Sequence, residues 1–440
     1  MKHPIVLWTF TVAFAGFLFG FDTAVISGAD QPIQALWKTS DLTHGLLVMS
    51  SALWGTVLGA LLANFPCDKF GRKPTLVVIG VLYVVSALGS AFATDPYIFS
   101  LMRFIGGFGV GVSSIAVPAY IAEIAPAEKR GRMVATYQFQ IVFGILLAFL
   151  SNYLLAEWFS LDWRWMLGIE AVPALIFLLL VMNVPESPRW LLLHKHDETQ
   201  SREVLRMAGD PSPEATLKSV KLDAATHTSP SLFHAAYRLP VLLAFLVAMF
   251  NQLSGINFVI YFAPRIFTLA GLDASSALLS SAGIGLVNLT FTLVGLSLID
   301  RMGRRQLLYI GSIGYLISLS LLTCAFYFQW QGIMVVGLIF LFIAAHAMGQ
   351  GAVIWVFISE IFPNAVRAKG QSLGSSTHWI FAALIALLMP WLLNQFSPAL
   401  LFGFFTLMMA VQLICVISFF PETRGQTLEH LGKSLSARKH

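Results

Sequence analysis

Three charged motifs occur twice in this chain, in the same order and at nearly the same spacing. The pairs are DKFGRK at 68–73 and DRMGRR at 300–305, Glu123-x6-Arg130 and Glu360-x6-Arg367, and PESPR at 185–189 with a looser PETR at 421–424. The second copies follow the first by 232, 237 and 236 residues. This agreement indicates an internal duplication, so the chain should fold as two similar halves.

The sequence between these motifs is almost wholly apolar. The chain of 440 residues is 57% hydrophobic and 11% charged, with a mean hydropathy of +0.77, whereas soluble proteins carry about 25% charged residues. The three cysteines have neither disulfide nor metal-ligand spacing. The first apolar stretch, from Ile5, is too long for a signal peptide and reads as a membrane span.

The apolar segments are long enough to cross a bilayer, which takes about 20 helical residues. Twelve are predicted, at 5–29, 44–65, 74–93, 97–120, 133–155, 165–184, 239–267, 276–298, 306–327, 333–358, 368–393 and 399–420, numbered here as spans 1 to 12. Duplicated membrane chains with parallel halves are typical of secondary transporters. The fold class is therefore an all-α membrane protein, with twelve transmembrane helices in two six-helix halves.

The polar segments divide these halves. We expect an N-terminal half at 1–189, a linker of short amphipathic helices at 190–237, a C-terminal half at 238–420 and a tail at 421–440.

The basic residues predict the orientation. Of the 27 Lys and Arg residues, only Lys38, Arg164 and Arg265 fall on one side of the predicted membrane, and Arg103 falls inside a span. The positive-inside rule places the other side, with both termini, the linker and the tail, in the cytoplasm. The basic linker is expected to face anionic lipid headgroups rather than nucleic acid.

Together with QLSGIN at 252–257 and GFDTA at 20–24, the duplicated motifs resemble the sugar porters of the major facilitator superfamily. The resemblance covers about residues 10 to 430, and it includes bacterial and plant proton–sugar symporters and animal sugar facilitators. It implies the major facilitator fold, a monosaccharide substrate, protons as the coupling ion, no cofactor, no metal and a monomer in the cell (inner) membrane.

The duplicated charges lie at the predicted inner ends of the spans, where charge-assisted hydrogen bonds can tie helix ends together. We expect them to form a cytoplasmic gate; the alternative is that they only set topology. The residues are Asp68, Arg72, Glu123, Arg130, Glu186, Arg189, Asp300, Arg304, Glu360, Arg367, Glu422 and Arg424.

Ionisable residues within spans are functional candidates. Asp22, Arg103 and Glu170 fall at a similar predicted depth, so an acid and a base can pair there. The family resemblance assigns proton coupling to Asp22, because proton-coupled members have Asp there and passive facilitators commonly have Asn. A static structural ion pair is the alternative, and Glu170 also resembles the symporter pattern.

A monosaccharide site needs amides, which both donate and accept, and aromatic faces for stacking. The predicted substrate-binding residues, partly taken from the family resemblance, are Gln138, Gln252, Asn257, Asn288, His346, Trp355, His378 and Trp379. His346 and His378 resemble the fructose-transporting facilitators, whereas Trp355 does not. Hydrogen bonding between helices is the alternative for both histidines. Span 10 lacks the family's usual prolines at 349–355, where two glycines can still provide a hinge.

The leading hypothesis is a proton-coupled monosaccharide symporter that works by alternating access. Its substrate would be a hexose such as fructose or glucose, or a pentose such as xylose. A passive sugar uniporter and a non-transporting sugar sensor are the alternatives. No nucleophile–base set or metal cluster is evident, so an enzyme is not expected.

Overall fold

The structure is a computed structural model, and it describes residues 4–126, 129–226, 231–363 and 366–425. Within these ranges the regular structure is helical throughout, without a strand. The last part of the expected tail, from 426, and linker residues 227–230 lie outside the described residues.

Eleven helices of the described chain are long and apolar enough to cross a membrane, and one bent helix pair completes twelve. In order, spans 1 to 12 are Ile5–Trp37, Asp41–Met49 with Ser51–Leu62, Arg72–Ala91, Pro96–Ile124, Arg130–Glu157, Trp163–Val181, Ala235–Tyr261, Ala274–Met302, Arg304–Tyr327, Ile333–Ile361, Arg367–Gln395 and Pro398–Ser418. The predicted fold class is confirmed. Short helices also form at Asn64–Phe70, Pro188–Leu193, Glu198–Ala208, Pro213–Thr226 and Ala263–Leu269.

Several spans are interrupted where the sequence places small or polar residues. Span 2 contains a π-helical segment, Gly45–Met49, and bends by 44° before Ser51–Leu62. Span 7 breaks after Arg238–Leu253 and resumes at Ile256–Tyr261. Span 10 contains a π-helical turn, Ala347–Gly351. Such interruptions are frequent at functional sites, because they redirect side chains and free backbone groups.

Glycines allow neighbouring spans to approach closely. A Cβ atom added to Gly107 in span 4 would lie 1.8 Å from the carbonyl oxygen of Ala52 in span 2. One added to Gly20 in span 1 would lie 1.9 Å from the carbonyl oxygen of Ile141 in span 5. Small residues at helix contacts are typical of membrane proteins, where backbone packing replaces the hydrophobic effect.

The chain divides into two compact units. The first contains Met1–Val25, Ser51–Ile145 and Asp162–Thr228, and the second contains Ile26–Ser50, Leu146–Leu161 and Ser229–His440. Each unit holds one copy of the duplicated charged motifs. The boundaries predicted from the sequence, at 189 and 238, separate the two duplicated halves and not these two compact units. They therefore stay a prediction.

Candidate proton and substrate sites

The first unit contains a buried ion pair between spans 1 and 4. Nη1 of Arg103 donates to Oδ1 of Asp22, and Nη2 donates to the Asp22 carbonyl oxygen at 3.2 Å. Asp22 is 4% exposed and Arg103 is 2% exposed. A buried pair of this kind is expensive to desolvate, so it needs geometry this close to persist.

Glu170 lies beside this pair, at the break in span 6 between Trp163–Gly168 and Ala171–Val181. Its side chain is 2% exposed, and it interacts electrostatically with Asp22 and Arg103. The structure therefore brings together the three ionisable residues that the sequence places inside spans. We call them the Asp22 cluster.

A second charged cluster lies at the start of span 3, and we call it the Arg72 cluster. Arg72 Nε and Nη2 donate to the two carboxylate oxygens of Glu123, at 3.1 and 2.9 Å. Nη1 donates to Asp68 at 3.3 Å. Glu186 accepts the backbone N–H groups of Arg72 and Lys73, at 2.9 and 3.2 Å. A distant carboxylate thus caps the first turn of span 3, where the helix dipole favours negative charge.

The same arrangement recurs in the second unit as the Arg304 cluster. Arg304 Nε and Nη2 donate to Glu360 at 3.0 and 2.8 Å, and Nη1 donates to Asp300 at 3.1 Å. Glu422 accepts the backbone N–H of Arg304 at 2.9 Å. Gly71 and Gly303 precede the capped helices with φ of 103° and 97°, which suits glycine.

Not every predicted gate residue joins these clusters. Arg424 donates its backbone N–H to Glu422 at 2.9 Å. Among the described residues, however, Arg130, Arg189 and Arg367 form no ion pair. Arg367 donates instead to the Phe362 carbonyl oxygen at 3.5 Å. The arginine of each Glu-x6-Arg motif is therefore not the partner of its own glutamate here. Glu123 pairs with Arg72, and Glu360 pairs with Arg304.

In the second unit, the break in span 7 positions two predicted substrate residues. Gly255 has φ of 87°, and Ser254 Oγ donates to the Asn251 carbonyl oxygen at 2.6 Å, a carbonyl that the helix break leaves free. Gln252 lies one residue before the end of the first helical segment, and Asn257 is the second residue of the next. Within the described chain, the amide of Asn257 makes no hydrogen bond, and that leaves it available to a ligand.

His378 in span 11 lies against Gln252 and two indole rings. The Gln252 Nε2 atom is 3.1 Å from Nε2 of His378 and 3.2 Å from Nδ1. The ring centroids of Trp355 and Trp379 lie 5.1 and 4.7 Å from that of His378. Three predicted substrate residues thus surround the imidazole of a fourth, His378.

The remaining predicted substrate residues are placed differently. His346 Nδ1 is 2.5 Å from the Tyr315 hydroxyl, a contact between spans 10 and 9. Asn288 lies on span 8 at 6% exposure. Gln138 lies half-buried on span 5, in the first unit, so its role is still a prediction from the family resemblance.

Comparisons with known proteins agree with this architecture. The model of the family described as "Sugar (and other) transporter" matches residues 8–435. The chain belongs to the sugar transporter family. It is 34% identical to the D-xylose-proton symporter of Escherichia coli (strain K12), over 96% of this chain and 94% of the relative. It is 33% identical to the arabinose-proton symporter of Bacillus subtilis (strain 168), over 98% and 94%.

The fold of this sugar transporter family member is also similar to solved structures. The inward-open conformation of the xylose transporter from Escherichia coli matches it with a TM-score of 0.86 and 33% identity, covering 98% of this chain and 99% of that one. The helices therefore form the major facilitator fold, in a multi-pass membrane protein that is a transporter rather than an enzyme.

Sequence reasoning missed a buried chain of amides in this transporter. Asn251, Gln350 and Gln412, on spans 7, 10 and 12, connect Gln252 to Ser312 in span 9 through hydrogen bonds of 2.8–3.4 Å. Single amides in apolar spans signal that such partners exist. Their spacing does not identify which spans meet.

It also missed an ion-pair network in the second unit. Arg265 contacts both carboxylate oxygens of Asp30, at 2.9 and 3.1 Å, and donates to the side-chain oxygen Oε1 of Gln34 at 2.6 Å. His44 Nε2 lies 2.8 Å from Asp30. Asp30 and His44 are at most 1% exposed. Asp30 lies inside the helix of span 1 but beyond the predicted span, so it was not among the charges predicted within the membrane.

Proposed function

We propose that this member of the sugar transporter family is a proton-coupled monosaccharide symporter that works by alternating access. The Asp22 cluster is the observation that carries the proposal. Two carboxyl groups and one guanidinium share an apolar interior, so the cluster carries one uncompensated negative charge when both acids are ionised. Burying such a charge is costly, and one bound proton removes the cost.

The proton has a route to a mechanical effect through Asp22. While the carboxylate is ionised, Arg103 holds span 1 to span 4 by charge-assisted hydrogen bonds. Protonation weakens those bonds, because the neutral acid no longer attracts the guanidinium. Proton binding and helix movement are coupled in this way, as a symporter requires.

For the substrate we propose a hexose or pentose, bound by Gln252, Asn257, Asn288, His378 and the indoles of Trp355 and Trp379. The named relatives, a xylose and an arabinose symporter, support a monosaccharide. The cluster around His378 offers donors, acceptors and aromatic faces in one place, and a sugar needs all three. Fructose is the ketose candidate because of the two histidines.

We propose that the Arg72 and Arg304 clusters lie on the cytoplasmic side of the cell (inner) membrane and stabilise the state closed to the cytoplasm. Both termini would then be cytoplasmic, and the basic linker helices would face lipid headgroups. The charge bias of the loops supports this orientation. We propose that the protein works as a monomer.

The test is transport by the purified protein in proteoliposomes. Uptake of radiolabelled xylose, arabinose, glucose and fructose is measured with and without an inwardly directed proton gradient. Accumulation above the external concentration that a protonophore abolishes supports symport. Uptake that only equilibrates the sugar would identify a uniporter, and binding without uptake would identify a sensor.

A further inference from the structure

Five buried side chains from four spans form a continuous chain of hydrogen bonds. We call it the amide relay: Gln252 and Asn251 on span 7, Gln350 in the π-helical turn of span 10, Gln412 on span 12 and Ser312 on span 9. Every member is at most 2% exposed. A buried polar chain of this length needs each group paired with a group of the opposite kind.

All the hydrogen bonds of the relay run in one direction, and Ser312, at the end opposite Gln252, determines that direction. Ser312 Oγ donates to the Leu308 carbonyl oxygen at 2.7 Å. A carbonyl oxygen can only accept, so the hydroxyl of Ser312 is left to accept from its other neighbour. That neighbour is Gln412, whose Nε2 lies 2.8 Å away. An amide whose nitrogen faces Ser312 must turn its oxygen to the opposite side.

Each remaining amide likewise donates through its nitrogen on one side and turns its oxygen to the other. Gln350 Nε2 donates to Gln412 Oε1 at 3.0 Å, and Asn251 Nδ2 donates to Gln350 Oε1 at 3.4 Å. Gln252 Nε2 then donates one of its two hydrogens to Asn251 Oδ1 at 3.0 Å. The same nitrogen lies 3.1 and 3.2 Å from the two ring nitrogens of His378, which can accept its second hydrogen. The last group of the relay is Gln252 Oε1. It is buried and has no hydrogen-bond partner among the described residues.

We infer that the amide relay fixes the polarity of Gln252, so that this residue meets a sugar as a hydrogen-bond acceptor and not as a donor. The inference rests on the proposed function, and it makes Asn251, Gln350, Gln412 and Ser312 positioning residues for the substrate. A free glutamine side chain can turn by 180° and offer either group. A relay that ends on a carbonyl removes that choice.

A fixed acceptor selects for a hydroxyl at one position of the sugar. The hydroxyl can donate to Gln252 Oε1, whereas fluorine at the same carbon can accept but cannot donate. Replacing that hydroxyl by hydrogen or by fluorine should therefore cost the same, about 5- to 150-fold in affinity for one lost buried hydrogen bond. A glutamine free to turn would bind the fluoro analogue better than the deoxy analogue.

The experiment uses the tightest competitor among xylose, arabinose, glucose and fructose, with its monodeoxy and deoxyfluoro analogues at each carbon. Gln252→Leu identifies the position that Gln252 contacts, since the hydroxyl there no longer contributes in this variant. In the wild type, the deoxy and deoxyfluoro analogues at that position should bind equally weakly. A fluoro analogue that retains most of the parent affinity overturns the inference.

Ser312→Ala tests the relay itself with the loss of one oxygen atom. Without Ser312, either orientation of the Gln412 amide leaves one of its two groups unpaired, so neither direction of the relay is favoured. The Gln252 amide can then turn and donate to the fluorine of the fluoro analogue. Its affinity should rise at least about 5-fold relative to the deoxy analogue, and Ser312→Thr should retain the wild-type equality. An unchanged ratio in Ser312→Ala overturns the inference.

Ser318→Ala is the matched control. Ser318 is also fully buried on span 9 and donates to the carbonyl four residues before it, at 2.8 Å, but it lies outside the relay. Its removal should leave the ratio unchanged, and an equal change in both variants would overturn the inference. If Gln252→Leu alters no analogue's affinity, the assignment of Gln252 to the sugar site is wrong, which separates that failure from a failure of the relay alone.

Discussion

Arg304 repeats the hydrogen bonds of Arg72, 232 residues earlier, almost atom for atom. Each arginine binds one glutamate through Nε and Nη2, an aspartate four residues before it through Nη1, and a second glutamate through its backbone N–H. The second glutamates, Glu186 and Glu422, follow the sixth and twelfth spans. The duplication thus preserves a three-dimensional pattern of hydrogen bonds as well as the charged sequence motifs.

Asp22→Asn should abolish proton-driven accumulation of sugar while leaving counterflow largely intact. The neutral amide resembles the protonated acid, so the helices can still move but no proton is exchanged. The measurement is uptake against a gradient and sugar exchange in proteoliposomes. Asp95→Asn is the control, because Asp95 only caps span 4 and Asn caps helices equally well. Retained accumulation in Asp22→Asn would remove Asp22 from the coupling mechanism.

Arg72 and Glu123 should be energetically coupled. Their side chains are 13% and 12% exposed and meet through two hydrogen bonds, so a double-mutant cycle with Arg72→Ala and Glu123→Gln should give about 1–3 kcal/mol in detergent unfolding. The cycle of Arg72 with Asp68→Asn should give under about 1 kcal/mol, because Asp68 is 59% exposed. Equal coupling in both cycles would contradict this ranking.

Stability should fall as pH rises through the titration of Glu186. Burial raises the pKa of this carboxyl above its ordinary value of 4.5, although the backbone N–H groups of Ser187, Lys73 and Arg72 lower it. The folded state therefore binds the proton more tightly than the unfolded state. This stabilisation is full below the unfolded pKa of 4.5 and is lost as pH rises from there through the raised pKa of the folded state. Melting temperatures across this range should show the fall in wild type and a flatter profile in Glu186→Gln. An identical profile in both would contradict the assignment.

Removing Arg265 should destabilise the second unit strongly. Arg265→Gln leaves the carboxylate of Asp30, which is 1% exposed, without its guanidinium partner, and breaking a buried pair in this way costs about 3–5 kcal/mol. Asp30→Asn in the same chain should recover much of the loss, since no charge is then left buried. Thermal unfolding in detergent measures both, and Lys38→Ala, at an exposed turn, serves as a neutral control.

His378→Asn should weaken fructose binding by about 5- to 150-fold, the equivalent of one buried hydrogen bond, and favour aldohexoses or xylose relatively. His346→Ala should change the sugar preference less, because its imidazole already pairs with the Tyr315 hydroxyl. Competition by fructose, glucose, galactose and xylose gives the rank order in each variant. A wild type that ignores fructose, or a rank order unchanged in both variants, would leave the histidines with a structural role only.

Much of this protein could be predicted from local signals. Apolar segments of about 20 residues predict membrane helices whatever their neighbours are, because the bilayer requires every backbone group to be satisfied within the segment. The repeated charged motifs predicted the duplication in the same way. Asp22, Arg103 and Glu170 were identifiable since an ionisable residue in an apolar span is costly without a partner.

Only the tertiary structure decided which groups meet. Spacing gave Glu123 and Arg130 as a motif, yet the arginine that binds Glu123 is Arg72, on another span. Nothing in the sequence indicated the partners of Gln350 and Gln412, which four packed helices bring into one relay that ends at Gln252. A hydrogen bond depends on distance and direction between atoms, and residues far apart in sequence acquire both only when the helices pack. The sequence by itself therefore determined the membrane helices and their repeated charges, while helix packing decided the pairing and polarity of the buried groups.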